Sequence, residues 1–392
     1  MNEVYIASAC RTPIGRFGGS LSTLSASDLG AVTTAEAVRR AGLAGESVHE
    51  VLMGNVLQAG QGQNPARQAA LKAKLGSNVP CTTVNMVCGS GLKSVIMAAQ
   101  SIKSGDAGCI VAGGMESMSQ APYVLSRSQK PFGDLTLCDV ILRDGLLDAM
   151  DGRHMGAMAE LLGERFGITR EQQDEYAHTS QQRCATALES GCFADETVSV
   201  SVTEKKETRS VDRDEHPRPE TTLESLAKLR PAFAESGTIT AGNSSGINDG
   251  AAAVVMVSAD QVGSLEAPPL GRIVSWACSA REPEMFGVAP AQAVRTALER
   301  AGLALDQIGL IEANEAFAVQ TLALGREMGW DAARVNVNGG AIALGHPIGA
   351  SGARILVSLL HEMKRRGERY GLATLCVGGG MGVAVVVELQ GL

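Results

Sequence analysis

The sequence contains Cys109-Ile110-Val111-Ala112-Gly113-Gly114-Met115 and, 266 residues later, the similar run Leu375-Cys376-Val377-Gly378-Gly379-Gly380-Met381. Each run is an apolar segment, typical of a buried strand, that meets a glycine cluster. A second pair, Arg40-Ala41-Gly42-Leu43 and Arg300-Ala301-Gly302-Leu303, has an offset of 260, and each copy closes a helical pattern before another apolar strand. Several matches in the same order predict a duplicated α/β unit in which strands alternate with helices.

Two further helices are predicted at matching places in the two copies. One begins at Ser90-Gly91, carries apolar residues at helical spacing and ends at Gly105; the other begins at Ser351-Gly352, an offset of 261. These helices lead into the two glycine-rich strands, which strengthens the prediction of a duplication.

A region of different character separates the two copies. Its segment 203–220 has 11 charged residues in 18, against 19% for the whole chain, which predicts a solvated excursion rather than core. A helical pattern from Glu171 to Leu188 indicates that the region is folded. We therefore predict an inserted loop domain.

Composition narrows the class of protein. With 392 residues, 45% of them apolar, the chain is able to bury a large core, and its net charge of −8 argues against a nucleic-acid partner. No apolar run is long enough to span a membrane, and no signal peptide is apparent. Nine cysteines without a Cys-x-x-Cys pair fit a reducing cytoplasm, and the six histidines show no metal-ligand spacing, so we predict no metal site.

Cys88 is the first candidate for chemistry. It lies in Val84-Asn85-Met86-Val87-Cys88-Gly89-Ser90-Gly91, between an apolar run and a predicted helix. The N-terminal end of that helix is positive, and this field favours the nucleophilic thiolate. The alternative is a buried structural thiol, which is the commoner role of a free cysteine.

Three polar elements on glycine-rich backbone follow in the second copy. They are Asn314-Glu315-Ala316-Phe317, the segment Gly345-His346-Pro347 before a helix, and Cys376 with its three glycines. Pro347 disfavours helical geometry at His346, so the imidazole is expected in a turn, where it is able to activate a nearby thiol. Alone, His346 also fits a satisfied loop histidine, and Cys376 a core strand. Three consecutive glycines do not stabilise the interior of a strand, however; they indicate a turn with free backbone N–H groups.

Together these elements resemble the thiolase family. The matching motifs are Asn85-Met86-Val87-Cys88-Gly89-Ser90-Gly91, Asn314-Glu315-Ala316-Phe317, Gly345-His346-Pro347-Ile348-Gly349-Ala350-Ser351-Gly352 and Cys376-Val377-Gly378-Gly379-Gly380-Met381-Gly382. The resemblance runs nearly end to end. A related ketoacyl synthase would be expected to have a second histidine in place of Asn314 and to lack Cys376.

The resemblance implies an α/β fold, a five-layer αβαβα sandwich of two duplicated halves. Residues 1–117, completed by 250–268, would form the N-terminal half, residues 118–249 a loop domain that covers the active site and binds coenzyme A, and residues 269–392 the C-terminal half. It also implies a homo-oligomer, with a tetramer built as a dimer of dimers preferred over a dimer.

The activity implied is the reversible Claisen condensation of two acetyl-CoA to acetoacetyl-CoA and CoA through an acetyl-Cys88 intermediate. Coenzyme A is a substrate and product, and no separate cofactor is expected. The residues implied in catalysis are Cys88, His346, Cys376, Asn314 and Gly378. Those implied in binding CoA are Leu146, His154, Met155, Arg218, Phe233, Ala241, Ser245, Ala316 and Phe317.

Substrate length and reaction class leave alternatives open. Arg153-His154-Met155-Gly156 resembles the Tyr-His-Met-Gly stretch of short-chain members, apart from Arg153. One alternative is a degradative 3-ketoacyl-CoA thiolase of broader chain length. Others are a cysteine-dependent thioester hydrolase that uses Cys88 and His346, and a CoA-binding protein without catalysis.

Overall fold

The computed structural model describes residues 3–128, 132–204 and 207–389. The strands are β1 (Val4–Arg11), β2 (Gly15–Arg16), β3 (Glu50–Gly54), β4 (Cys81–Val84), β5 (Cys109–Ser117), β6 (Tyr123–Val124), β7 (Cys138–Asp139), β8 (Val200–Glu204), β9 (Glu207–Val211), β10 (Asn248–Ser258), β11 (Gly271–Ala280), β12 (Leu310–Ala313), β13 (Tyr370–Val377) and β14 (Met381–Leu389). The α-helices are α1 (Ala26–Arg40), α2 (Pro65–Lys72), α3 (Ser90–Ser104), α4 (Met155–Phe166), α5 (Arg170–Glu189), α6 (Leu223–Ala227), α7 (Pro290–Ala301), α8 (Ala318–Met328), α9 (Ala341–Leu344) and α10 (Ile348–Arg366).

Local sequence explains where the principal helices start and stop. Helix α1 begins at a capping box, in which the Ser25 side chain accepts from the Asp28 N–H and the Asp28 carboxylate accepts from the Ser25 N–H. Helix α3 ends at Gly105, whose φ of 87° is left-handed and suits glycine. Helix α10 begins at Ile348, three residues before the predicted start, because Pro347 is tolerated at a helix N-terminus.

One mixed sheet of ten strands crosses the molecule in the order β12-β13-β14-β11-β1-β10-β5-β3-β4, with β2 paired to β10. Its centre is weak, because β1 and β11 share only the pairs Tyr5–Arg272 and Ile6–Gly271. The sheet therefore divides into two half-sheets joined at this seam.

The two half-sheets repeat one topology. The order β3-β5-β10-β1 in the first matches β12-β13-β14-β11 in the second, with the same parallel and antiparallel relations. Side chains repeat as well: the hydroxyl of Ser8 donates to the Ala37 carbonyl at 2.6 Å, and that of Ser275 donates to the Ala297 carbonyl at 2.6 Å. The predicted duplication is confirmed, although the strand pairing aligns Gly114 with Thr374, an offset of 260, and not with Gly380, as the offset of 266 between the two glycine runs suggested.

Helices α3 and α10 form the central layer. Their buried residues, such as Leu92 and Leu356, share one core with strands of both half-sheets. Glycines allow the two helices to cross closely, since a Cβ on Gly91 would lie 2.7 Å from the Ala353 nitrogen. Helices α1 and α2 cover the outer face of one half-sheet and α7 that of the other. This confirms the predicted five-layer αβαβα arrangement.

The region between β5 and β10 adds elements outside these five layers, and its strands β8 and β9 pack on the core beneath α1 and α2. It contains α4, α5, α6 and the hairpins β6–β7 and β8–β9. The helical pattern predicted from Glu171 to Leu188 corresponds to α5. Residues 1–2 and 390–392 of the predicted halves, and 205–206 of the charged segment, lie outside the described residues.

The prediction that the whole segment 203–220 is a solvated excursion is wrong for its second part. Strand β9 is largely exposed, but the buried Arg11 guanidinium pairs with Asp214 at 2.7 Å and with Glu196 at 2.5 Å. A count of charged residues does not reveal such pairing, which holds the middle of this segment, at Asp214, against β1, while residues 218–220 are exposed.

Candidate active site

A cavity of ≈ 540 Å³ lies between the region 118–249 and the ends of the central strands. It brings together every residue that the sequence singled out, with the exception of Asn314. These residues are Cys88, Leu146, His154, Met155, Arg218, Phe233, Ala241, Ser245, Ala316, Phe317, His346, Cys376 and Gly378.

Cys88 lies at a strained turn between β4 and α3. The preceding residue, Val87, has a φ of 47°, which is unfavourable for a β-branched side chain. Local hydrogen bonds hold it there: the Asn85 side chain accepts from the Val87 N–H at 2.9 Å, and the Ser90 hydroxyl donates to the Val87 carbonyl at 2.6 Å. Strain maintained in this way is common at active sites. It places the half-buried Cys88 against the cavity.

The expected thiolate at Cys88 is not favoured by its surroundings. Burial raises the pKa of the thiol to about 11, although the backbone N–H groups of Gly378 and of Cys88 itself oppose this by hydrogen bonding to the sulfur. Desolvation outweighs the helix field, and the negative charge of Glu116 raises the pKa further. Cys88 therefore needs a base to ionise it at neutral pH.

His346 is oriented to be that base. Its backbone N–H donates to the Asn248 side chain at 2.9 Å, and its ring Nδ1 lies 2.5 Å from the Ser351 hydroxyl. That hydroxyl donates its single proton to the Pro347 carbonyl at 2.9 Å. It must then accept from Nδ1–H, which leaves the lone pair on Nε2.

The other ring nitrogen is free to accept a proton. Nε2 of His346 has no hydrogen-bond partner among the described residues, and the ring is one of the groups that line the cavity. Burial, and then the charge of Arg354, lower the pKa of His346 to about 3, so the imidazole is neutral at physiological pH. Sequence reasoning identified His346 but missed Ser351 as the residue that fixes its tautomer.

Cys376 lies at the end of β13, immediately before the glycine turn. Gly379 and Gly380 both have φ of 80°, and Cys376 pairs with Gly382 across the turn. The prediction that these glycines form a turn is confirmed. Burial, and then the nearby Cys88, raise the pKa of Cys376 well above its usual value, so this second thiol is protonated at neutral pH.

Asn314 does not line the cavity. It follows β12, is 1% exposed, and its backbone N–H donates to the Thr374 carbonyl at 3.0 Å. Neither its Oδ1 nor its Nδ2 has a hydrogen-bond partner within the described part of the chain. A buried amide with both ends unpaired is costly, and it is suited to a small polar guest.

Aromatic rings form one wall of the cavity, and they share an apolar cluster with Cys376. Phe233 stacks on His154 with centroids 4.6 Å apart and meets Phe317 edge-on at 6.1 Å. The Nδ1 of His154 accepts from the Gly156 N–H at 3.0 Å, which leaves the Nε2–H free to donate. Burial lowers the pKa of His154, so the ring is neutral. The wall thus combines flat apolar surface with a single donor.

Two arginines stand at the mouth of the cavity. Arg218 was predicted, whereas Arg16 was not, because a lone exposed arginine carries no sequence signal. Neither side chain has a carboxylate within ion-pair distance in the ranges that the structure describes, so both charges are available to an anion. Phe17 and His216 also line the cavity and were missed.

Within residues 3–128, 132–204 and 207–389, no three His, Cys, Asp or Glu side chains group so that they could hold a metal ion, and no helix has the length and apolar character of a membrane span.

Comparison with known proteins gives a consistent result. The thiolase N-terminal domain matches residues 4–260, and the thiolase C-terminal domain matches residues 267–389. The chain is 54% identical over 390 residues to an acetyl-CoA acetyltransferase of Pseudomonas aeruginosa, and 56% identical over 391 residues to one of Escherichia coli, covering 99% of both chains in each case. It superposes on the crystal structure of the Bacillus anthracis acetyl-CoA acetyltransferase with a TM-score of 0.97 and 42% identity, covering 100% of this chain and 99% of that one. The chain belongs to the thiolase family.

Proposed function

We propose that this protein is an acetyl-CoA C-acetyltransferase, which reversibly condenses two acetyl-CoA into acetoacetyl-CoA and CoA. The observation that carries the proposal is a pair of thiols, Cys88 and Cys376, in one cavity with the unpaired Nε2 of a neutral His346. The full-length identity to proteins named acetyl-CoA acetyltransferases supports the same activity.

In the first step, Cys88 attacks the thioester carbon of acetyl-CoA while His346 accepts its proton. The C–S bond to CoA breaks, the sulfur of CoA takes a proton back from His346, and acetyl-Cys88 remains. The neutral imidazole has a free lone pair for this proton, and the transfer must accompany formation of the new C–S bond, because a thiol whose pKa is about 11 does not ionise ahead of attack against an imidazole whose pKa is about 3.

In the second step, Cys376 passes its thiol proton to Nε2 of His346, and the thiolate removes a methyl proton from another acetyl-CoA. The resulting enolate attacks acetyl-Cys88, a carbon–carbon bond forms, and the C–S bond to Cys88 breaks. The Cys88 thiolate takes the proton back from His346, and acetoacetyl-CoA leaves. The buried, high-pKa Cys376 is a weak acid, so its thiolate is a correspondingly strong base. This step is the reason for a second thiol, which a thioester hydrolase does not need.

Both steps develop negative charge on oxygen. The backbone N–H groups of Cys88 and Gly378 serve the tetrahedral intermediate; their hydrogen bonds to the Cys88 sulfur indicate that they converge there. His346, once its Nε2 has taken the Cys376 proton, donates to the enolate together with a water held by the amide of Asn314, which has no partner among the described residues. Removal of one such donor typically lowers the rate ~10²–10³-fold.

Coenzyme A is bound as substrate, and no other cofactor is required. The loop domain, residues 118–249, contributes His154 and Phe233 to the aromatic wall, and its Arg218, which lines the cavity, supplies a positive charge for the phosphates of CoA. The N-terminal half is residues 1–117 with 250–268, and the C-terminal half is 269–392. The ends of β5 at Ser117 and β11 at Gly271 are consistent with these limits.

A short acyl chain is favoured by Met155. Its sulfur lies 3.8 Å from the point where a Cβ on Gly378 would stand, so the methionine narrows the cavity beside the glycine turn. Arg153, which departs from the short-chain pattern, points elsewhere: it pairs with Asp151 at 2.6 Å and with Glu284 at 2.8 Å. A 3-ketoacyl-CoA thiolase of broader chain length would need Met155 to move away from the glycine turn.

The protein is further proposed to act as a homo-oligomer in the cytoplasm, a tetramer rather than a dimer. Beside β6 and β7, several large apolar side chains are exposed: Tyr123 is 67% exposed and Leu137 59%. So much exposed apolar surface in one segment suits contact with a second copy. All nine cysteines are free, as a reducing compartment allows. Light scattering on the wild type and on a Tyr123→Ser, Leu137→Ser variant measures the assembly.

The activity is tested by CoA-dependent loss of acetoacetyl-CoA. Wild type should cleave it, and Cys88→Ala should not. Cys278→Ala, an exposed thiol that does not line the cavity, is the matched control and should retain full activity. Release of free acetate from acetyl-CoA without any acetoacetyl-CoA would identify a hydrolase instead.

A further inference from the structure

Glu116 is a buried carboxylate to which the proposed chemistry gives no part. It lies near the end of β5, is 0% exposed and does not line the cavity. Its Oε1 accepts from the Asn55 side chain at 2.7 Å and the Leu57 N–H at 3.2 Å. Its Oε2 accepts from the N–H of Val56 at 3.0 Å and that of Gly349 at 2.9 Å. Four donors on one carboxylate fix both of its oxygens.

The duplication places Glu116 at the position that Cys376 occupies in the other half. Gly54 of β3 pairs with Gly114, and the corresponding Ala313 of β12 pairs with Thr374, so two residues further on Glu116 matches Cys376. Both residues also lie opposite a glycine in the next strand. The same position thus holds a cavity thiol in one half and a fully bonded carboxylate in the other.

The Glu116 side chain contacts the helix that follows His346. Helix α10 has Pro347 at its N-cap and no side-chain cap. Glu116 supplies the missing acceptor, because its Oε2 takes the N–H of Gly349 in the first turn. A Cβ on Gly349 would lie 2.7 Å from Oε2, so the contact depends on glycine.

The first turn of α10 controls the imidazole from both sides. His346 immediately precedes Pro347, and Ser351, which holds the ring Nδ1, lies one turn into the helix. The loop at Val56 and Leu57 also packs on Ile348, so apolar contact as well as the Glu116 hydrogen bonds joins this loop to the start of the helix. A shift of this turn would move His346 relative to Cys88.

We propose that Glu116 is a positioning residue, whose carboxylate clamps the first turn of α10 and so aims Nε2 of His346 into the cavity. The inference rests on the proposed function for its kinetic consequence. Its structural consequence, a single oriented tautomer of His346, does not depend on turnover.

The test compares Glu116→Gln with Glu116→Asp. Glutamine keeps one acceptor oxygen and turns an NH₂ toward two N–H donors, whereas aspartate keeps both oxygens and the charge. The matched control is Glu388→Gln, a buried carboxylate at the opposite end of the β13–β14 ladder, where it pairs with Arg272 and Arg369.

In steady-state condensation, kcat of Glu116→Gln should fall by up to ~10²-fold, as a misplacement of about 1 Å permits. KM for acetyl-CoA should stay within about twofold, because Glu116 touches no part of the cavity. Glu116→Asp should lose less, and Glu388→Gln should keep its kcat. A folded Glu116→Gln with wild-type kcat would overturn the proposal, as would an equal loss in Glu388→Gln.

Two further readouts decide the outcome if one variant folds poorly. In a double-mutant cycle with Ser351→Ala, run with Glu116→Gln or Glu116→Asp, the losses should be non-additive; additive losses would refute a shared action on His346. The ¹⁵N shifts of the His346 ring, assigned with His346→Gln, should show the Nδ1–H tautomer in wild type and a mixture in Glu116→Gln. Unchanged shifts would contradict the proposal even if wild type made no acetoacetyl-CoA, a result that would instead reject the proposed function.

Discussion

Replacement of Ser351 with alanine removes the hydroxyl that determines which nitrogen of His346 carries the proton. The ring Nδ1–H would then lose its 2.5 Å contact in a buried site. An unpaired buried donor costs ~1–3 kcal/mol. If this cost falls on the productive tautomer, acylation of Cys88 slows ~5–150-fold, at tenfold for each 1.36 kcal/mol. The alternative tautomer relieves the cost by moving the proton to Nε2, where His346 is no longer a base.

The assay is the burst of CoA released when acetyl-CoA is mixed with enzyme in a rapid-quench instrument. Ser358→Ala is the matched control, because it removes a buried hydroxyl from the same helix, one that bonds Glu196 at 3.0 Å and does not line the cavity. Both variants should unfold at a lower temperature than wild type, but only Ser351→Ala should acylate slowly. Wild-type acylation in Ser351→Ala, or an equal loss in Ser358→Ala, would refute the assigned tautomer.

Three other predictions concern the same cavity. Arg218→Gln should raise KM for acetyl-CoA but hardly change KM for acetyl-pantetheine, which lacks the nucleotide. Arg39→Gln, on the outer face of α1, is the control. An equal rise in KM for both substrates in Arg218→Gln would contradict a phosphate contact. The rate of iodoacetamide labelling of Cys88 should rise about tenfold per pH unit from pH 7 to 10. The reason is that a pKa raised to about 11 leaves a thiolate fraction of ~10⁻³ at pH 8, and this fraction grows as the pH rises. A labelling rate that has already reached its plateau at pH 7 would show a lowered pKa. Met155→Ala should increase kcat/KM for medium-chain 3-ketoacyl-CoA relative to acetoacetyl-CoA, and no change in that ratio would mean that Met155 does not limit the chain length.

The duplication and the motifs that contain Cys88, His346 and Cys376 could be predicted because they depend on local sequence. Apolar runs, glycine clusters and the Pro347 turn follow from backbone preferences alone, and matching offsets placed Cys88 and Cys376 in related halves. The family resemblance supplied the roles of Asn314 and of the CoA contacts, which no spacing in the chain indicates.

What the sequence could not show are effects that depend on distant residues. The raised pKa of Cys88 comes from burial by both halves, which outweighs the helix field that was expected to favour the thiolate. The pairing of Arg11 with Asp214 joins positions 203 residues apart and holds part of a charged segment against β1. Glu116 gave no signal, because its partners lie on two other elements.

The central claim is a division of labour between the two thiols, and the most direct measurement compares two reactions of Cys376→Ala. One is the exchange of labelled CoA into acetyl-CoA, which requires only Cys88 and His346. The other is condensation of acetyl-CoA to acetoacetyl-CoA, which also requires a base for the methyl proton. In Cys376→Ala, exchange should continue while condensation is lost, and Cys88→Ala should lose both reactions. Condensation at the wild-type rate in Cys376→Ala would contradict the claim.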